Sequence, residues 1–322
     1  MTCFIQQRAI LLQVIYNSVR ENRQQHGRDC ETCQLSDVYH MEAETICVEA
    51  WLSENKKDFA PPVCNKCMFA KQLKVFYVGG PNSRRDYHLE EGEEFFYQKQ
   101  GDMVLKVIEH GQPRDIIIKE GEIFLLPSRV EHSPQRFENT IGFVVERTRE
   151  NTEFDCVRYF VEPSTERLFE RWFHLQDVVR DLPPLIKAFH ASEEFKTGAP
   201  GKKSFLVNAP YEPIPLNLVE PINLKQFIES NKDRLGVAPV QIYGAPNYST
   251  QVLLYGEGRH LIEANDYELL IWIMNDSEAV LEQPKGIRTM HSLSMTICPP
   301  QINCCVDVRK GQAITIQMMP KL

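Results

Sequence analysis

RRDYHLEEGEEFFYQKQGDM (Arg84–Met103) and GEIFLLPSRVEHSPQRF (Gly121–Phe137) decide the reading of this 322-residue chain. Between them they carry His88, Glu94 and His132. Two imidazoles and one carboxylate can hold a metal while leaving coordination positions open. That set suits a non-haem Fe(II) centre that must also take a substrate and dioxygen. The spacing supports the residue types. Glu94 follows His88 by six positions and precedes Gly101 by seven; Gly121 precedes Pro127 by six, and His132 comes five later. Short β-like runs surround these residues.

This two-motif layout is that of a cupin, with informative departures. Many cupins place a second His two residues after the first, where this chain has Glu90. The usual glycine after the second-motif proline is Arg129, and the usual asparagine after the last His is Arg136. A four-ligand pattern has become a three-ligand one with an added arginine. Alternate residues share one face of a strand. If each ligand points inward, Arg84, Phe96, Arg136 and Glu146 point inward with it, as long as no bulge or turn intervenes. Spacing alone leaves other readings open. Arg84 and Arg85 fit a solvated turn, Arg136 a surface partner of Glu138, Phe96 plain core packing, and Glu146 a rim carboxylate beside Arg147.

Outward from these motifs, the stretch 73–149 is a series of short β-like runs: KVFYVGG, DYHLE, EFFYQ, DMVLKVIE, RDIIIK, EIFLLP, SPQRF and GFVVERT. Turn residues separate them at intervals of roughly ten, the rhythm of a barrel or sandwich. Residues 163–195 return to helical spacing, with helices expected over Thr165–Phe173 and Leu182–Phe195 and Pro183-Pro184 in the first turn of the second. Five prolines between 197 and 221 mark an extended connection. Strand-like runs then resume, from VQIYG and TQVLLYGEG to INCCVDV and AITIQMMP, without an arranged His/Glu set; His260 and His291 stand alone. The expected fold is therefore mainly β: a bicupin of two double-stranded β-helix (jelly-roll) barrels with a few helices. The expected divisions are an appended segment over 1–45, a catalytic cupin over 46–160, helices and linker over 161–218, and a degenerate, metal-free cupin over 219–322. Ile5–Val19 fits one amphipathic helix in the appended segment. Two barrels in one chain imitate a dimer of single cupins, so a monomer is expected.

Hydrophobic content of 43% and charged content of 25% are those of a globular protein. A net charge of −8 argues against nucleic acid, which normally meets a basic face. Arg84, Arg85, Arg129 and Arg136 still gather around the ligands, which favours an anionic small molecule. Ten cysteines without a convincing signal peptide read as thiols in a reducing cytosol. Ala9–Tyr16 is the one signal-like run, and it is short and lacks a small-residue cleavage site. No run has the length of a membrane span.

Over roughly 48–198 the chain closely resembles the animal-type, two-cupin 3-hydroxyanthranilate 3,4-dioxygenases. The matching stretches are PPVCNK (61–66), QLKVFYVGGPNSRRDYHLEEGEEFFYQ (72–98), GDMVLKV (101–107) and GEIFLLPSRVEHSPQRFENTIGFVVER (121–147). A weaker likeness continues to the C-terminus; residues 1–45 lie outside it. The resemblance implies that His88, Glu94 and His132 hold Fe(II). It implies that Arg84 and Arg136 grip a substrate carboxylate, with Arg84 also meeting dioxygen. It further implies that Glu146 contacts the amino and hydroxyl side of the ring as general base, and that Glu94, Phe96 and Asn65 complete the substrate pocket. The implied reaction opens 3-hydroxyanthranilate with dioxygen to 2-amino-3-carboxymuconate semialdehyde, which cyclises to quinolinate on the kynurenine route to NAD. Bacterial members carry a C-terminal CxxC iron site; none stands here, so one metal is expected.

Three other readings of the residues compete with this one. Cys30-x-x-Cys33 with Cys64-x-x-Cys67 makes a formal four-cysteine zinc site, though its pairs are separated by more than the usual ribbon spacing. A different metal cupin, such as a thiol dioxygenase or sugar isomerase, would not need two arginines with Glu146. A non-catalytic binding cupin would be expected to lack metal ligands.

Overall fold

The structure, a computed structural model, describes residues 44–61, 64–82, 84–263 and 265–320. The expected helix over Ile5–Val19 and the pair Cys30 and Cys33 lie outside these residues. Strand β1 (Glu44–Cys47) and helix α1 (Val48–Glu54) precede a run of strands: β2 (Asn65–Ala70), β3 (Leu73–Gly79), β4 (Tyr87–Leu89), β5 (Glu94–Gln100), β6 (Met103–Glu109), β7 (Gln112–Ile118), β8 (Glu122–Leu126), β9 (His132–Arg136), β10 (Ile141–Arg147), β11 (Asp155–Phe160) and β12 (Arg167–Phe173). Helices α2 (Val178–His190) and α3 (Glu193–Thr197) follow, then β13 (Ile222–Asn223), α4 (Leu224–Ser230) and α5 (Lys232–Leu235). The second run of strands is β14 (Val240–Tyr243), β15 (Gln251–Tyr255), β16 (Gly258–Ile262), β17 (Leu269–Ile273), β18 (Glu278–Gln283), β19 (Gly286–Met290), β20 (Ser294–Cys298), β21 (Cys304–Lys310) and β22 (Ala313–Gln317).

The first barrel consists of two six-stranded antiparallel sheets, β13-β8-β5-β10-β3-β2 and β12-β11-β4-β9-β6-β7. Gly101 shows how the short runs are turned back on one another. It joins β5 to β6 with φ at +66°, and a Cβ there would meet Thr140 Cγ2 at 3.0 Å, so glycine suits the turn on both counts. The second barrel pairs the sheet β1-β20-β17-β22-β15-β14 with the four-stranded sheet β16-β21-β18-β19. Its interior is packed with apolar side chains, among them Ile271, Ile273, Leu281, Met290 and Val306. His260 bonds the Gly256 carbonyl at 2.9 Å, and His291 is exposed.

Two strands cross the boundaries expected from sequence. Glu44 pairs with Ile297 in the second barrel's sheet, and Ile222 pairs with Ile123 in the first barrel's. The faces of these two sheets share one apolar core. Leu73, Val75, Tyr77, Phe95 and Phe143 from one side meet Leu254, Leu270, Trp272, Ile314 and Ile316 from the other. Trp272 is the centrepiece: it lies 4.7 Å from Tyr97 and 5.1 Å, edge-on, from Phe143.

The helical reading of Thr165–Phe173 is corrected: this segment is strand β12, paired with β11 from Asp155↔Phe173 to Phe160↔Arg167. Its doublets Leu168-Phe169 and Trp172-Phe173 fit either period, and aromatic residues favour a pleated surface when a partner strand is at hand. The following helix begins at Val178, a turn before the expected start at Leu182. Asp177 Oδ1 accepts the Arg180 N–H at 3.0 Å, and Asp181 accepts the Gln176 and Asp177 N–H groups. This capping moves the helix start forward and leaves Pro183 and Pro184 inside the helix.

Arg129, standing where glycine is usual, keeps the left-handed backbone, with φ at +60°. Its guanidinium bonds Glu91 at 2.8 Å and lies over the Tyr211 ring at 4.6 Å. Its carbonyl accepts the Ile214 N–H at 3.0 Å, so it ties the proline-rich connection to the first barrel. A left-handed residue other than glycine costs about 1–2 kcal/mol. Arg129→Ala loses the side-chain contacts and keeps that strain; Arg129→Gly loses the contacts and relieves it. Urea unfolding should therefore find Arg129→Gly the more stable variant by about 1 kcal/mol. Equal midpoints would show that the backbone conformation there carries no penalty.

Candidate metal centre

The barrel's two sheets supply the ligands from opposite sides. His88 on β4 and His132 on β9 are directly paired across neighbouring strands of one sheet. Glu94 opens β5 in the facing sheet. His132 is 2% exposed, and its Nε2 lies 3.5 Å from Glu94 Oε2. Its Nδ1 lies 3.0 Å from the Val130 carbonyl; donation there leaves the Nε2 lone pair for a metal. His88 Nε2 bonds Asp155 Oδ2 at 2.7 Å, which orients the ring and leaves its other nitrogen for a metal. Among the described residues, His88, Glu90, Glu94 and His132 form the group with ligand atoms all within 4.8 Å of one another. This is a donor set that a divalent cation fits: two imidazoles with buried carboxylate oxygens. Burial alone would raise the Glu94 pKa, but His132 and His88 hold it well below the usual carboxylate range.

One cavity of about 510 Å³ opens onto this group. Its wall contains Asn65, Arg84, His88, Glu94, Phe96, His132, Arg136 and Glu146, but not Arg85, which pairs with Glu162, or Arg129, which pairs with Glu91. Phe96 on β5 pairs with Val144 on β10, and two residues further along β10 comes Glu146. Arg136, at the far end of β9 from His132, is 3% exposed. Its Nε and Nη2, one edge of the guanidinium, find no hydrogen-bond partner among the described residues. Burial, with Arg84 as a like-charged neighbour, pushes its pKa down to about 10, so it stays cationic at neutral pH. Glu146 is 4% exposed; burial pushes its carboxyl up, and its Oε1 has no partner among the described residues.

Strand alternation alone does not place Arg84. Strand β4 covers only Tyr87–Leu89, so alternation does not extend back to Arg84. Arg84 lines the cavity, but its guanidinium is ion-paired to Asp86. The four-cysteine alternative gains nothing from its described half: Cys64 donates to the Pro81 carbonyl at 3.4 Å, and Cys67 to that of Phe69 at 2.9 Å.

Sequence reasoning missed what lies behind the ligands. Arg149, fully buried, bonds Asp155 through Nε at 3.0 Å and Nη2 at 2.9 Å, reaches Glu146 at 3.3 Å, and pairs with Glu90. No spacing rule ties residues 149 and 155 to His88; they meet it through the β11–β4 pairing, where Val157 lies opposite His88. It also missed the roof. Val178, Leu182 and Ile186 on α2 line the cavity, and their spacing of four residues was legible as an apolar helix stripe.

A family model described as 3-hydroxyanthranilic acid dioxygenase matches residues 40–190. A 3-hydroxyanthranilate 3,4-dioxygenase of Caenorhabditis elegans is 58% identical over 271 residues, covering 84% of this chain and 96% of that protein. The chain belongs to the 3-hydroxyanthranilic acid dioxygenase family. A human member, also a 3-hydroxyanthranilate 3,4-dioxygenase, is 46% identical over 234 residues, 72% of this chain and 82% of its own. Among solved structures, a salicylate 1,2-dioxygenase from Pseudaminobacter salicylatoxidans aligns over 95% of this chain and 93% of that one, with a TM-score of 0.55 and 9% identity. At that identity the likeness is one of fold, and it supports the bicupin architecture. Among the described residues no helix is long and apolar enough to cross a membrane.

Proposed function

We propose that this protein opens the ring of 3-hydroxyanthranilate with dioxygen at a single Fe(II) held by His88, Glu94 and His132. The observation that carries the reading is one cavity containing a two-His, one-carboxylate set, an unpaired arginine edge and an unpaired carboxylate oxygen. Bound there, Fe(II) would supply Lewis acidity and a path for electrons between an electron-rich ring and dioxygen.

The protein's own groups match the substrate point by point. 3-Hydroxyanthranilate carries a carboxylate beside an amino group and a phenolic hydroxyl. The free Nε–Nη2 edge of Arg136 fits that carboxylate with two parallel hydrogen bonds, which lysine cannot copy. Glu146 Oε1 is free to accept the phenolic proton, and its raised pKa brings it closer to the strength such a base needs. Phe96, Phe76 and Val144 give the ring an apolar wall. Arg84, its charge shared with Asp86, supports the carboxylate and the approach of dioxygen. Both dioxygen atoms enter the product, 2-amino-3-carboxymuconate semialdehyde, which cyclises to quinolinate. A neutral sugar would leave Arg136 buried and unpaired, which disfavours an isomerase. We read the working form as a monomer, because the sheet faces that single cupins would use to pair already cover each other within the chain; the free cysteines among the described residues fit a reducing cytosol.

Two variants should separate the roles. Arg136→Ala should weaken anaerobic binding of 3-hydroxyanthranilate by about 1.5–3 kcal/mol, roughly 10- to 150-fold, with metal content unchanged. Glu146→Gln should lower kcat by about 10²–10⁴ while metal content stays at one per chain. Normal affinity in the first and normal turnover in the second would remove the assignment of these residues.

A further inference from the structure

We propose that Arg149 keeps Glu90 out of the metal's coordination sphere, so that three protein ligands hold the ion rather than four. Glu90 stands two residues after His88, where a four-ligand cupin places a histidine. It is 2% exposed, and a carboxylate oxygen lies within 4.8 Å of the ligand atoms of His88, Glu94 and His132. By position and chemistry Glu90 is a fourth ligand in waiting. Its carboxylate is instead ion-paired to Arg149 Nη2.

Arg149 is itself anchored. Asp155 takes its Nε and Nη2, the Arg147 carbonyl accepts from Nη1 at 2.9 Å, and its side chain is 1% exposed. It is a fixed buried cation that competes with the metal for Glu90. Without it, Glu90 would be a buried carboxylate left beside the carboxylate of Glu94, and the bound divalent cation would be its best remaining partner. Closing that fourth position takes one of the sites an aminophenol chelate and dioxygen require. The inference rests on the reading that substrate binds at the open positions of this metal. Arg149 acts through Glu90, so it is a positioning residue.

The test uses the full chain loaded with Co(II) under anaerobic conditions, measuring Co(II) affinity and 3-hydroxyanthranilate affinity separately. Wild type comes first: failure to hold one Co(II), or to bind the substrate, would remove the site reading and this inference with it. Given a normal wild type, Glu90→Gln should leave Co(II) affinity within about threefold, whereas loss of a resident ligand or its support costs about 10–100-fold. A tenfold loss would overturn the proposal, and this arm holds even if variants at 149 do not fold. Arg149→Met should hold Co(II) at least as tightly as wild type while substrate affinity falls about tenfold or more. Adding Glu90→Gln to Arg149→Met should restore substrate affinity to within about threefold of wild type. Failure of that rescue would show that Arg149 acts through Glu146 or general packing, and would overturn the proposal.

Discussion

Replacing Trp272 with alanine should destabilise the whole protein by about 3–5 kcal/mol, the range for removing a buried aromatic side chain. Trp272 belongs to the second barrel, yet its ring contacts are Tyr97 and Phe143 of the first. It is 2% exposed and lies within a single apolar core that spans both barrels. The exchanged strands add to this coupling, since β1 extends a sheet of the second barrel and β13 extends one of the first. Unfolding in urea should remain one cooperative transition, with a lower midpoint, and metal-binding capacity should be lost over the same denaturant range. Two separate transitions, with the first barrel's metal affinity unmoved in the variant, would show that the barrels are stable independently. In that case the second barrel would not serve as the support for the first that its packing indicates.

His132→Ala should abolish activity and lower metal affinity by at least the 10–100-fold seen when mere supporting residues are removed. The imidazole is nearly fully buried, paired strand to strand with His88, and its Nε2 faces Glu94. Alanine leaves one histidine and one carboxylate, too few protein ligands to retain a divalent ion against buffer. The fold should survive, because β9 keeps its pairing with β6 over five residues. Circular dichroism unchanged with metal content near zero is the expected result. Undiminished metal content would place the ion elsewhere.

The site was legible from sequence to the extent that its chemistry is local. His88 and Glu94 lie six residues apart around one turn, and His132 is five residues from Pro127, so spacing brings them together. Alternation along β5 and β10 correctly placed Phe96 beside Glu94, and Glu146 beside Val144, on the cavity wall. It did not account for Arg84, because the strand is only three residues long and Asp86 takes the guanidinium. Asp155 and Arg149 were invisible because they reach the ligands through strand pairing between distant segments. Likewise, the doublets of β12 suit helix or strand equally, and only the partner strand β11 settles which forms. The proline-rich connection carries no helix or strand over residues 198–221, and spacing gave no sign that Tyr211 would bond the Phe154 carbonyl at 2.7 Å and bring it against the first barrel.

The most direct test is to load the purified chain anaerobically with Fe(II), remove loosely held metal, and then follow oxygen uptake and ring-opened product on adding 3-hydroxyanthranilate. The expected result is one iron per chain and one dioxygen consumed per ring opened, with both lost in a His88→Ala/His132→Ala variant. Two tightly held irons per chain, or oxygen uptake that survives loss of both histidines, would contradict a single catalytic centre in the first barrel.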